Sequence, residues 1–581
     1  MRNSSKTAGY GLLLLAAAIC GAATPSVAAD RGPSTRDPIG RVTVRTYDAL
    51  ERLIAVTDSD GNTIYVRQGL TGRPGLSRQI ATLPAGSAGN TTSPITIHVP
   101  QDQPTVQAAI NAASNGDTVL VADGTYHESI NFLGKAITVK SVDGASKTTL
   151  DGGGTDTVVT FSDGEGAGSV LEGFTVTNGY SQYSGSGIYI AGAAPTIRNN
   201  VIAKNAGCAG IGIAVQGGGP LITGNVIRNN FMSGCSGGTG GGGIGVVAPP
   251  SSGQARIINN LIANNNASSS NGGGGISLWA AGSPIVENNI IEGNNGGDAG
   301  GGLAMWNDSS PVIVQNLFIQ NRSGQGGAMY WVIPVSSPGL ALVNNTMANN
   351  SAVNGSAIFD GGFDTNMRIE NNLIIGGAGQ AAYFCQQFNG TTTPAVFSHN
   401  DVFSAGTAAM GGSCTFSTGR DSNVSVDPMF ISAASNFHVQ LGSPVIDAGY
   451  NYAPDLLQRD LVGFPRIENG VVDMGAVEFF PTSASLAPSQ LTFAPQLVGT
   501  TSKAQPVVLK NTGSLPLFFA IRVTGEFHQT NNCPSRLGPL ASCTINVNFK
   551  PAAKGARAGA LNFSSNAADS PQSVTLSGPG V

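Results

Sequence analysis

Ile197-Arg198-Asn199-Asn200-Val201-Ile202-Ala203-Lys204-Asn205 returns along the chain with small changes. It becomes ITGNVIRNN from Ile222, IINNLIANN from Ile257, VENNIIEGN from Val286 and IVQNLFIQN from Ile313. It continues as LVNNTMANN from Leu342 and IENNLIIGG from Ile369, and decays to FSHNDVFSA from Phe397. The central asparagines, from Asn200 to Asn400, are spaced by 25, 35, 29, 27, 29, 27 and 28 residues. Short glycine-led strands precede most of these units, as in Gly187-Ile188-Tyr189-Ile190, Gly275-Ile276-Ser277-Leu278 and Gly302-Leu303-Ala304-Met305. Runs of four or five residues rich in β-branched side chains and punctuated by Gly and Asn read as strands. A period near 27 residues signals a solenoid whose units stack on one another.

Composition agrees with that reading. Of 581 residues 81 are Gly, and charged residues make up only 11%. Against roughly 7% Gly and 25% charge in an average domain, this excludes coiled coils, helical bundles and charged disordered chains. Collagen is excluded because the glycines have no three-residue period. A formal net charge of −5 gives no electrostatic case for nucleic acid or an anionic membrane surface.

The repeat resembles the right-handed parallel β-helix of the pectate-lyase-like superfamily, with one rung per repeat. The resemblance implies an all-β chain: a β-helix over 93–424, then a C-terminal immunoglobulin-like β-sandwich. In such a fold the aliphatic residues stack inward, and the repeated asparagines are scaffold that can ladder through their side-chain amides. Ile95 to Ile130 resembles the opening rung and capping helix of these proteins, with Val106 to Ala113 as the helical run. Gly124-Thr125-Tyr126-His127-Glu128 resembles a pectinesterase motif, but the same turn opens β-helices of unrelated activity.

Residues 1–29 read as a secretory signal: Arg2 and Lys6, an apolar run from Leu12 to Ile19, and small residues Val27-Ala28-Ala29. No later apolar run is long enough to span a bilayer. The expectation is a secreted or cell-surface protein, monomeric, with no transmembrane segment. Removal of Cys20 leaves six cysteines, an even number suited to an oxidising compartment. Cys533 and Cys543 share one small domain. Cys208 and Cys235, and Cys385 and Cys414, each lie about one repeat apart, within disulfide reach for stacked strands. Pairing within the β-helix stays open among the alternatives. No cysteine pair has zinc-ligand spacing, so no metal site is expected.

Three further segments flank the shaft. Within 30–92, Tyr47 to Leu53 followed by Asp58-Ser59-Asp60-Gly61-Asn62 resembles one Rhs-type YD repeat and reads as a hairpin with an Asp-Gly turn. Asp58, Asp60 and Asn62 also fit the start of a calcium loop, without the Glu that would complete one. Residues 425–481, with Leu441 to Gly449 and Val472 to Glu478, resemble the choice-of-anchor segment that closes secreted β-helices. Residues 485–581 resemble a Hydin-type immunoglobulin-like domain, a spacer or docking module.

Acid–base residues are sparse. Between Asp151 and Asp401 the only Lys or Arg residues are Arg198, Lys204, Arg228, Arg256, Arg322 and Arg368. One aromatic constellation stands out: Trp279, Trp306 and Trp331 follow glycine-led strands in consecutive rungs. Strand alternation sends Ile276 and Leu278 inward and Trp279 outward. This predicts an outer stripe of three Trp, with Asp360 in the next rung and Asp308 and Asp364 beside it. Aromatic faces flanked by carboxylates suit a polysaccharide or cell-surface glycan. The alternative is a polysaccharide lyase or hydrolase using Asp308, Asp360 and Asp364, with Arg322 or Arg368 as base. No cofactor is expected, apart from calcium if the protein is a lyase.

Overall fold

In the computed structural model the described residues are four short N-terminal strands and 93–581, except 183–184, 236–239, 248–252, 268–271, 308, 333–338, 364–365, 387, 389–393, 417 and 514. The signal-like residues 1–29, the Asp58–Asn62 turn, Asp308 and Asp364 therefore lie outside the described residues. The N-terminal strands Ser34–Arg36, Val42–Tyr47, Leu53–Thr57 and Thr63–Tyr65 pair antiparallel in sequence order. This is a four-stranded meander where a single hairpin was expected.

The shaft is a parallel β-solenoid with three sheets. Sheet I has 12 strands, from Thr96–Val99 to Val396–Ser398. Sheet II has 11, from Gly124–Tyr126 to Asp401–Phe403, and sheet III has 11, from Ile130–Asn131 to Met410–Gly412. The chain visits them in the order I, II, III in each rung, and a continuous column of buried aliphatic and aromatic side chains fills the interior. The helix Val106–Ala112 covers the first rung with Val106, Ala109 and Ile110. Both of its ends are satisfied by the rung beneath. The Glu128 carboxylate accepts the Val106 and Gln107 amides at 2.9 Å, and Lys135 Nζ donates to the carbonyls of Ile110, Asn111 and Ala113 at 2.8 Å. Glu128 of the pectinesterase-like motif thus serves as a helix cap.

Each Asn-Asn pair divides its work. The first residue takes a left-handed conformation, as at Asn199, Asn259, Asn288, Asn344 and Asn371, which Asn tolerates better than most residues. The second points inward. Asn289 donates from its backbone N–H (2.9 Å) and Nδ2 (3.0 Å) to Asn316 Oδ1, and Asn316 does the same to Asn345. This ladder runs from Asn200 to Asn423 at the turn between sheets I and II. A second runs from Asn205 to Asn350 at the turn between sheets II and III. In both, Nδ2 gives its other proton to a main-chain carbonyl, as Asn289 does to Ile257 at 2.8 Å. The amides in the ladders are buried and fully paired.

Glycine has a different task where the chain enters sheet III. Gly243, Gly275 and Gly302 have ordinary negative φ, but a Cβ on Gly243 or Gly275 would meet the next rung's glycine carbonyl at 2.5 Å, and one on Gly302 would meet Ala328 O at 2.7 Å. Close rung stacking, more than left-handed freedom, is what these positions require.

The segment after the last rung straps the turn between sheets I and II. Gln315 Nε2 donates to Arg459 O, Asn344 Nδ2 to Asp473 O and Gly475 O, and Asn371 exchanges bonds with the Tyr450 main chain. Arg466, buried with Glu478, Asp473 and Asp460, holds the strap together. Asp460 and Asp473 accept main-chain amides of Phe464, Val462, Glu478, Asp447 and Phe479. Beyond it lies a β-sandwich of a four-stranded and a five-stranded sheet around Phe493, Phe527, Phe549 and Phe563. His438 from the strap stacks on Phe518 of the sandwich at 3.7 Å.

Removing one rung of the ladder should be costly. Asn316→Ala leaves the Asn289 backbone N–H and one Nδ2 proton without an acceptor, an expected loss of about 2–5 kcal/mol in urea unfolding. Gly275→Ala should destabilise comparably, whereas exposed Asp298→Asn should stay within about 0.5 kcal/mol.

Candidate functional site

Sheet III does not carry the expected stripe of three Trp. Trp279 pairs with Trp306, but Trp306 pairs with Val332, and Trp331 pairs with Met305. Trp331 therefore faces inward and is 0% exposed. In the third of these rungs Ala328 stands between the last glycine and the strand, so Ala328, and not Gly327, occupies the place of Gly302. A shift of one residue turns a strand's side chains to the other face. The outer face carries a different aromatic series. Trp279 meets Trp306 at 5.6 Å, Trp306 meets Tyr330 at 5.7 Å, Tyr330 stacks on Phe359 at 5.1 Å, and Phe359 stacks on Phe384 at 5.7 Å. Tyr330 and Phe359 are buried, and Trp279 and Trp306 half-buried. The rings spend their faces on one another, which makes this ladder part of the wall.

Nor are the catalytic candidates gathered. Asp360 pairs with Trp331 and lies inside the solenoid, where it accepts the Tyr383 hydroxyl at 2.6 Å and the Gly362 amide at 2.8 Å. Burial pushes its pKa up to about 8 against these bonds, and the Trp331 N–H also favours ionisation at a geometry short of a full hydrogen bond. Arg368 sits on sheet I and is held by Glu370 at 3.0 Å. Arg322 is exposed at the turn between sheets II and III. Among the described residues no three His, Cys, Asp or Glu side chains gather to hold a metal ion.

Arg322 belongs to another column. The residue after each asparagine of the second ladder stacks in register, beginning one rung earlier with Tyr180 after Gly179: Tyr180, Ala206 and Phe231 as short strands, then Asn266, Asn295, Arg322 and Ser351 as single bridges. From Tyr180 to Arg322 the column covers five strand spacings, roughly 24 Å at about 4.8 Å each. Asn295 Nδ2 donates to Asn266 Oδ1 at 3.2 Å, and Phe231 is 43% exposed. At the N-terminal end the column opens into a groove of about 510 Å3, lined also by His127, Asp151, Asn178 and Lys204. Asp151 is held by the Gly153 amide at 2.9 Å and by Asn178 Nδ2 at 3.0 and 3.1 Å, with His127 Nδ1 at 3.6 Å. The groove therefore combines an exposed cation, an anchored carboxylate, amides and two aromatic rings along one straight edge. The sequence signal for the column was the single position following the closing Asn of each repeat, occupied by Ala206, Phe231, Asn266, Asn295, Arg322 and Ser351.

The six cysteines form three disulfides, Cys208–Cys235, Cys385–Cys414 and Cys533–Cys543, which fit an oxidising, extracellular compartment. No helix among the described residues is long and apolar enough to cross a membrane.

Comparison with known families agrees with the architecture. Residues 158–324 and 239–418 match the family described as "Right handed beta helix region". The shaft is a right-handed β-helix. Residues 34–63 match the "RHS Repeat" family, overlapping the YD-like segment. Among solved structures, the ASH / PapD-like domain of human CEP192 (PapD-like domain 7) aligns over 17% of this chain and 87% of that one, at 14% identity and a TM-score of 0.14. No curated protein matches the chain.

Asp360 gives the interior a pH signature. A carboxyl whose folded pKa is raised stabilises fully below its unfolded value near 4 and loses that contribution as pH rises through about 8. Asp360→Asn should therefore flatten the decline in unfolding free energy between about pH 4 and pH 8, measured as wild type minus variant. An unchanged slope would contradict the assignment.

Proposed function

We propose that this chain is an exported β-helix protein of the pectate-lyase-like superfamily that binds an extended glycan. The glycan lies along the edge between sheets II and III, from the His127–Asp151 end past Tyr180 and Phe231 toward Arg322. The observation that carries this reading is the in-register column of aromatic, amide and guanidinium side chains, one per rung, opening into a groove. A polymer of regularly repeating units suits a surface of regularly repeating contacts. Aromatic rings offer apolar faces to sugar C–H groups, and amides and charged groups take the hydroxyls.

The shaft then acts as a rigid display surface. The strap and the C-terminal sandwich, read as a choice-of-anchor segment and a Hydin-type immunoglobulin-like module, form its far end and serve adhesion at the cell surface. Cleavage by a lyase or hydrolase is the second reading, and His127 beside an anchored Asp151 in the groove favours it.

Affinity electrophoresis in gels containing soluble neutral or uronic-acid polysaccharides tests the proposal. Retardation by at least one polymer is expected. Phe231→Ala and Arg322→Ala should each weaken it by about tenfold, with Trp279→Ala within about twofold of wild type. Loss on Trp279→Ala alone would return the site to sheet III. Release of an unsaturated, ultraviolet-absorbing product that stops in His127→Ala would favour the cleavage reading.

A further inference from the structure

Two of the three disulfides lie at the far end of the shaft or in the sandwich, but Cys208–Cys235 stands beside the groove. Cys208 follows Ala206 and Gly207, and Cys235 follows Phe231 to Gly234. Both cysteines thus extend strands that form the wall at that point. These strands are only two residues long: Tyr180–Ser181, Ala206–Gly207 and Phe231–Met232. A sheet of such strands is marginal by itself. Side-chain burial adds little to hold the third strand, because Phe231 is 43% exposed and Met232 half-exposed; on its other side it is joined by a single bridge at Asn266. The rung that carries it is also the longest of the repeat, with Asn225 and Asn260 spaced 35 positions apart.

The covalent link spans adjacent rungs, with Cα atoms 5.6 Å apart. Around it the Ser233 amide donates to Gly207 O at 3.1 Å and the Cys208 amide to Ser181 O at 3.1 Å. The bridge therefore joins the ends of the second and third strands. In later rungs the same column is continued by single bridges at Asn266, Asn295 and Arg322 without any cysteine. Among the described residues of this column, the staple sits at the rung whose tip carries the exposed Phe231.

We infer that the Cys208–Cys235 disulfide is a positioning element of the glycan groove, and that its redox state sets the groove's affinity. The inference rests on the reading that this groove binds glycan. With the bond formed, Phe231 is held at a fixed height above Ala206, and a sugar chain meets a preorganised wall. A dithiol reductant transfers two electrons and two protons to the disulfide, giving two cysteine thiols and its own disulfide. The Phe231 strand end is then freed, and its ordering must be supplied by the bound chain. Ligand-independent stability of the shaft is set elsewhere, by the asparagine ladders and the interior column.

The test compares wild-type protein, Cys208→Ser/Cys235→Ser and Phe231→Ala, each as the full chain, by affinity electrophoresis in the polysaccharide gel that retards wild type most. Thermal unfolding of each is recorded in parallel. The double variant is expected to bind about three- to tenfold more weakly, the cost of ordering one side chain and its short strand on binding. Its main unfolding transition should remain in place. Mild dithiol treatment of wild type should reproduce the loss and have no further effect on the double variant. If Phe231→Ala weakens binding but the double variant binds like wild type, the staple does not position the groove. If Phe231→Ala binds like wild type, the glycan reading of the groove itself fails. A double variant whose main transition collapses would show that the bond holds the shaft together, which contradicts the inference.

Discussion

The rung spacing is the constraint on which everything else depends. Strands that hydrogen-bond in parallel must stack about 4.8 Å apart, and every feature repeated along this chain accommodates that distance. Asparagine meets it from the inside, because one amide can accept from the rung below while donating upward and to a carbonyl. Glycine meets it at the corner into sheet III, where the backbone of Gly243 and Gly275 runs so close to the next rung that a Cβ would strike a carbonyl oxygen. The high glycine content and low charge follow from these two devices. A charge in the interior column would be buried at each level, and Asp360, a carboxylate placed there, has its pKa pushed up to about 8 by burial.

Strict stacking has a functional consequence. Any residue type placed once per rung outside the ladders becomes a straight line of identical pitch on the surface. Two such lines are aromatic. On sheet III the rings occur in five consecutive rungs, from Trp279 to Phe384, so they pack on one another, tilted at the Trp end and stacked from Tyr330 onward, and close the wall. At the turn between sheets II and III, Ala206 separates Tyr180 from Phe231, and the line then turns polar through Asn266, Asn295 and Arg322. Spacing the rings apart leaves the face of Phe231 exposed beside polar side chains, the combination on which the glycan proposal rests. The same rungs are tied at one end by the capping helix and its Glu128 and Lys135 partners, and strapped near the other by Asn344 and Asn371.

The repeat, its strand content and the inward asparagines were legible because they recur in sequence with little variation. The capping helix was legible from one amphipathic run; one-repeat separations put Cys208 and Cys235, and Cys385 and Cys414, within disulfide reach but left their pairing open. Trp331 was misplaced because a glycine served as the alignment mark: the rung holds both Gly326 and Gly327, and the register follows Ala328. Sequence similarity between rungs cannot resolve such a one-residue slip, since the hydrogen bonds that fix it lie between strands some 27 residues apart. The groove was hidden for a related reason. His127, Asp151, Asn178, Lys204 and Phe231 share no motif, and only the stacking of successive turns brings them to one edge. The docking of the strap on the left-handed residues Gln315, Asn344 and Asn371 likewise depends on contacts across 79 to 144 positions.

Hydrogen–deuterium exchange with and without the polysaccharide that the protein binds most tightly bears most directly on where the shaft works. If the edge between sheets II and III is the working surface, ligand will slow exchange in 178–182, 204–208 and 229–233, leaving 276–279 and 303–306 unchanged. Protection concentrated on 276–279 and 303–306, with none along the groove, would contradict that account.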